Sequence, residues 1–198
     1  MEVKLELMYA MHDARSAINL MLTGPEFYKT ARGPRDLNNI ARHVASNILQ
    51  DQHPDGIKLA FMVFAVRSIN HESRNEIETF LKTYMSREKW APELYNFRAV
   101  IEMPSFHDLI CEFLEWVKKS KCHGTNTLVA DLASQRRACY TMDVYFTLFQ
   151  ASSCWSNPFF LDPFLACFLG AFSQEEINTC SKLYGIMGEG RFDEESGM

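Results

Sequence analysis

Residues 36–51 read DLNNIARHVASNILQD, and this stretch decides the fold class. Leu37, Ile40, Ala41, Val44, Ile48 and Leu49 recur at helical spacing and form one apolar stripe, while Asn38, Asn39, Arg42, His43, Asn47 and Gln50 take the other side. Pro34 precedes the stripe, and Asp36 suits an N-cap or first-turn position, where a carboxylate meets unpaired backbone N–H groups. His53-Pro54-Asp55-Gly56 favours a turn. A second helix is expected at once, over 57–69, and Ile57, Leu59, Ala60, Phe61, Met62, Val63, Phe64, Ala65 and Val66 make it apolar nearly all round. A helix of that kind is buried between layers. Two helices joined by a short turn are the unit of a helical-repeat domain.

Val3 to Leu22 reads as one helix, closed by Thr23-Gly24-Pro25. Glu26 to Arg35 reads as a basic connector with Lys29, Arg32 and Arg35. Ser73 with Glu76 makes a capping box for a helix running to about Trp90, and Pro92 breaks it. A short helix over 93–102 is expected to stop at Pro104, with Ser105 and Asp108 capping another that runs to about Lys119. Lys118, Lys119 and Lys121 lie at its C-terminal end, where cations complement the helix dipole. Thr127 to Ser152 gives one long helix or two, and Pro163 to Phe172 a hydrophobic one. Ser173 and Glu176 cap the last, over 175–187. The remainder, GEGRFDEESGM, is acidic and Gly-punctuated, so residues 188–198 are expected to be a disordered tail after a single α-helical domain over 1–187. The sum is an all-α fold of eight or nine helices, read as antiparallel helix pairs stacked in a HEAT-like repeat.

Composition fits a soluble globular chain, with 47% hydrophobic and 23% charged residues and fifteen Phe. The net charge is −5. The first hundred residues carry thirteen Lys/Arg and twelve Asp/Glu, the rest seven and thirteen, which argues against a general nucleic-acid coat. The opening residues lack an apolar signal-peptide core, and no run approaches the length of a bilayer span, so cytosol or nucleus is expected. The six Cys show no C-x-x-C or zinc spacing, which points to free thiols. No H-E-x-x-H, phosphate-binding loop or G-x-S-x-G appears, so neither an enzyme nor a cofactor is expected. Cys111 with His107, one turn apart, is the nearest approach to a nucleophile and base, and the apolar register of Cys111 favours a core role.

Binding residues are sought among cations and tryptophans. Lys29, Arg32, Arg35 and Arg42 form one candidate patch, and Lys118, Lys119, Lys121, Arg136 and Arg137 another. Trp90, beside Pro92, is placed where a helix end would be exposed, and tryptophan is enriched at binding hot spots. Trp116 and Trp155 are expected to pack in the core.

Asp36-Leu37, Ala41 and Leu49-Gln50-Asp51, with Tyr84 and Arg87-Glu88 about one helix pair later, resemble the middle domain of the eukaryotic initiation factor 4G family. The likeness covers residues 36–90 and is nearest to small single-domain members that interact with histone stem-loop-binding protein. It implies a non-enzymatic adaptor in messenger-RNA translation or processing, with an RNA-binding protein or a DEAD-box helicase as partner and RNA engaged indirectly. Two other readings stay open. One is a Bcl-2-like bundle that takes an amphipathic helix, with residues 57–69 and 158–172 as central helices. The other is a viral or host factor that binds RNA directly.

Overall fold

A computed structural model describes residues 2–31, 33–49, 54–85, 97–119, 131–150 and 165–195. Among the described residues every regular element is an α-helix and there is no strand. The helices are α1 (Glu2–Tyr9), α2 (Ala14–Thr23), α3 (Pro25–Thr30), α4 (Pro34–Ile48), α5 (Pro54–Val66), α6 (Arg74–Tyr84), α7 (Phe97–Lys119), α8 (Leu132–Gln150), a short α9 over 165–169, and α10 (Gln174–Glu195).

The opening stretch forms α4. Gly33 is its N-cap, Pro34 sits at the first helical position and Asp36 lies in the first turn. Ile40, Ala41, Val44, Ala45 and Leu49 are buried, whereas Leu37 and Ile48 are only half-buried. The next helix is the centre of the molecule. Phe61 and Val63 of α5 are fully enclosed, Met62 nearly so, and α4, α7 and α8 all pack against α5. Some contacts join chain neighbours, such as α2 with α3, α4 with α5 and α7 with α8; others bring together distant helices, with α4 on α7 and α5 on α8.

Several boundaries differ from expectation, each for a local reason. The first helix is two. Asp13 N-caps α2 by accepting from the Ser16 N–H at 2.7 Å. The Asn47 amide of α4 donates to the carbonyls of Tyr9 and Met11, both at 2.7 Å, and so satisfies groups that a continuing helix would have used. The connector over 26–35 is partly helical, as α3, with Pro25 at its first position. Pro104 does not separate two helices but lies inside α7. A proline there forfeits one backbone bond. Burial of Val100 and Met103 before it and of Ile110, Leu114 and Val117 after it offsets that loss. Finally, α10 runs to Glu195 instead of giving way to a tail at Gly188. Extending an existing helix adds one bond per residue, and Glu and Arg are good helix formers, so two glycines do not stop it.

The capping boxes form unequally. At Ser173 the box is complete: the Glu176 N–H donates to Ser173 Oγ and the Ser173 N–H donates to the Glu176 carboxylate. At Ser73 only the first half forms, because the Glu76 carboxylate accepts from the Asn70 N–H instead. The end of the helix expected to reach Trp90, and the segment around Trp155, lie outside the described residues. No helix among the described residues is long and apolar enough to cross a membrane.

Candidate functional site

Helices α8 and α10 pack along one another, and α9 lies across one side of the pair. Three features set α10 in place. The Ser173 box fixes its start. Arg137 of α8 pairs with Glu176 at 3.4 Å. The Cys180 thiol donates to the Ala138 carbonyl at 3.6 Å. Between these helices lies an apolar groove of about 420 Å³. Its floor is aromatic: Tyr145 lies 5.8 Å from Phe168, ring to ring, and Phe168 lies 5.0 Å from Phe172. Phe146 and Tyr184 form one wall, 5.6 Å apart. Thr141, which is buried, and Ser181, which is exposed, add hydroxyls to those of the two tyrosines in its lining. Phe168 is buried, while Leu169 and Tyr184 are exposed. An apolar cleft with a few polar groups at its rim is the usual form of a binding site for an apolar ligand or side chain.

A second cluster joins α7 to α8. The Tyr140 hydroxyl and His107 Nδ1 are 2.7 Å apart, and His107 Nε2 lies 3.6 Å from Cys111 Sγ. With Tyr140 donating, the ring proton sits on Nε2 and faces the sulfur. Tyr140 is fully buried, and burial pushes its hydroxyl up from its ordinary value. The adjacent Cys139 thiol is pushed up to about 12, first by burial and then by Cys180 and Cys111. Burial likewise pushes Cys180 up to about 11. Both therefore stay as protonated thiols at neutral pH, a form that is a poor nucleophile. The described cysteines, Cys111, Cys139, Cys167 and Cys180, are all free. Among the described residues no group of three or more His, Cys, Asp or Glu is placed to hold a metal ion.

The cations singled out in the sequence are spread over four helices. Lys29 is exposed in the last turn of α3, and Arg42 is exposed on α4. Arg35 belongs to the first turn of α4. Lys118 and Lys119 are exposed in the last turn of α7, where Lys118 pairs with Glu115. Arg136 and Arg137 are half-buried on α8, and Arg137 is engaged by Glu176, so this pair is not an open cationic surface. Arg32, Trp90 and Lys121 lie outside the described residues. Trp116, expected in the core, is 45% exposed.

In the sequence each groove residue fits an ordinary helical stripe, so none stands out as a binding residue. The available signal was the adjacent pair Tyr145-Phe146, which places aromatics on two faces of α8 when one face suffices for packing. The geometry defines an all-α bundle with an apolar groove at one side. Comparison with known proteins finds no matching family model, no similar curated protein and no similar solved structure.

Proposed function

We propose that this chain is an intracellular adaptor without catalytic chemistry of its own, which holds protein partners on a fixed helical scaffold. The groove between α8 and α10 supports this reading best, since it offers about 420 Å³ of largely apolar space beside the exposed ring of Tyr184. An apolar side chain of a partner would be desolvated there on binding. A setting in messenger-RNA translation or processing is supported by the likeness of Asp36-Leu37, Ala41, Leu49 and Tyr84 to the initiation factor 4G middle domain. Lys29 and Arg42, both exposed, are offered as further contacts for an acidic partner.

A second reading is favoured by α5, a central helix enclosed by its neighbours, as in a Bcl-2-like bundle that takes an amphipathic helix. Affinity capture from cell lysate, with and without nuclease, separates the two readings. Translation factors or a DEAD-box helicase that survive nuclease, and are lost with Tyr184→Arg, are the expected result. Capture of BH3-bearing proteins turns the assignment to the second reading. Capture of only nuclease-sensitive material, or of the same proteins by Tyr184→Arg, overturns the groove as the adaptor site.

A further inference from the structure

Helix α7 carries apolar side chains on two faces, and among the described residues only one of these faces is buried. Ala99, Val100, Met103, Ile110, Leu114 and Val117 are buried against the rest of the bundle. On the other side Ile101, Leu109 and Trp116 are 51%, 60% and 45% exposed. Leu109 and Trp116, seven residues apart, line up about two helical turns from one another, while Ile101 lies roughly 80° further round the same exposed face, in line with Asp108. Phe113 widens the line of Leu109 and Trp116 by stacking on Trp116, with ring centroids 6.1 Å apart. Along the helix axis the face extends roughly 22 Å from Ile101 to Trp116, at 1.5 Å per residue. Single exposed apolar side chains need no explanation, but a patch containing tryptophan marks a contact surface.

The charges on this face identify what fits it. Arg98 pairs with Glu102 near one end, and Lys118 pairs with Glu115 near the other. Asp108 and Glu112 are exposed in the middle, one turn apart, and among the described residues neither has an ion-pair partner. Leu109, Phe113 and Trp116 therefore make an apolar patch, and Asp108 and Glu112 lie along one edge of it, on the side of Ile101. A second copy of the chain does not match it. Laid antiparallel, with the Ile101 end on the Trp116 end, it sets Arg98 against Lys119 and Glu102 against Glu115. Laid parallel, it sets Asp108 and Glu112 each against itself. Like charges in such contacts are unfavourable.

We propose that the exposed patch of α7 formed by Leu109, Phe113 and Trp116 docks an amphipathic helix of a different protein, one with an apolar stripe flanked by Lys or Arg that meet Asp108 and Glu112. This surface is separate from the groove at α8 and α10 and does not depend on that reading.

The test uses the full chain and three labelled peptides of roughly 20 residues, enough to span the face. All three carry the same leucine stripe, flanked by Lys, by Gln or by Glu, and binding is read by fluorescence anisotropy at physiological salt. The Lys-flanked peptide is expected to bind at least about tenfold more tightly than the Glu-flanked one, the scale of two partly screened charge contacts. Leu109→Asp abolishes binding, and Asp108→Lys with Glu112→Lys reverses the preference. These positions are exposed, so circular dichroism and the melting temperature stay as in the wild type. Tyr184→Arg leaves this binding unchanged, which separates failure here from failure of the groove. Equal affinity for the three peptides, or binding that survives Leu109→Asp, overturns the proposal. So does a dimer seen by light scattering that Leu109→Asp converts to single chains.

Discussion

Helices α5 and α7 are both rich in apolar residues and both pack on α8, yet they behave as opposites. In α5 the apolar residues run round the whole helix and the fold covers them, from Ile57 to Val66. In α7 they form two faces, and the bundle covers one. The difference lies in the charges. Lys58 is the charged residue within the central run of α5, so every direction around that run can be buried. Along α7, Arg98, Glu102, Asp108, Glu112, Glu115, Lys118 and Lys119 recur on one side and keep it in water, even though Ile101, Leu109 and Trp116 lie among them. Apolar content alone therefore does not say which surface is core. The charges interleaved with it do.

The largest effect is expected at Phe61, which is fully enclosed in α5. Phe61→Ala should cost about 3–5 kcal/mol, the transfer loss plus the cavity left behind, measured by urea denaturation. A cost near zero would mean that α5 is not the centre of the fold.

Two aspartates sharpen the same contrast between interior and surface. Asp143 of α8 accepts from Arg67 at 2.9 and 3.0 Å, yet burial raises its pKa despite that cation. Burial prevails because Arg67 is itself partly solvated, with 42% of its side chain exposed. Asp131, at the start of α8, accepts from the Ser134 N–H at 2.8 Å and from Ser134 Oγ at 3.1 Å, and its pKa is lowered by those bonds, the backbone one first. The unfolded value of both is about 3.9. For Asp131 the unfolded state holds more protons, so its contribution is present above that value and is lost as pH falls through the folded pKa. For Asp143 the folded state holds more, so its contribution is present below the unfolded value and is lost as pH rises through the folded pKa. Asp131→Ala should remove about 1 kcal/mol of capping at neutral pH and flatten stability on the acid side. Asp143→Asn should flatten the opposite slope. Thermal melts across an acidic pH series check both, and slopes of the same sign would refute the assignment.

The smallest effect is expected on the open face of α7. Leu109→Ala should leave stability within about 0.5 kcal/mol, the range of surface substitutions. A loss comparable to that of Phe61→Ala would show that the face is covered in solution.

Much of this fold is legible in the sequence wherever the cause is local. The stripe of α4, the all-round apolar run of α5 and the Ser173 box need only neighbours within a turn or two, and each forms. The break between α1 and α2 is not local. Asp13 supplies one half, but Asn47, far along the chain, supplies the other. Pro104 reads as a terminator because its lost hydrogen bond is visible in sequence, whereas the burial on both sides of it is not. The groove is least legible, since Phe146, Phe168 and Tyr184 come from three helices and meet only through the packing of α10 on α8.

Asn47 carries a consequence for the order in which the chain is built. Its one amide binds the carbonyls of Tyr9 and Met11, while the Tyr9 ring stacks on His43 at 4.0 Å. The C-terminus of α1 is therefore finished by α4, a helix synthesised later. Until α4 has coiled, the Ala10 and Met11 N–H groups can bond back to Glu6 and Met8, but the Tyr9 and Met11 carbonyls lack the Asn47 amide and the Tyr9 ring lacks its aromatic partner. In native-state hydrogen exchange the amides of α1 should open together with those of α4 as one cooperative unit, although α2 and α3 lie between them in the chain.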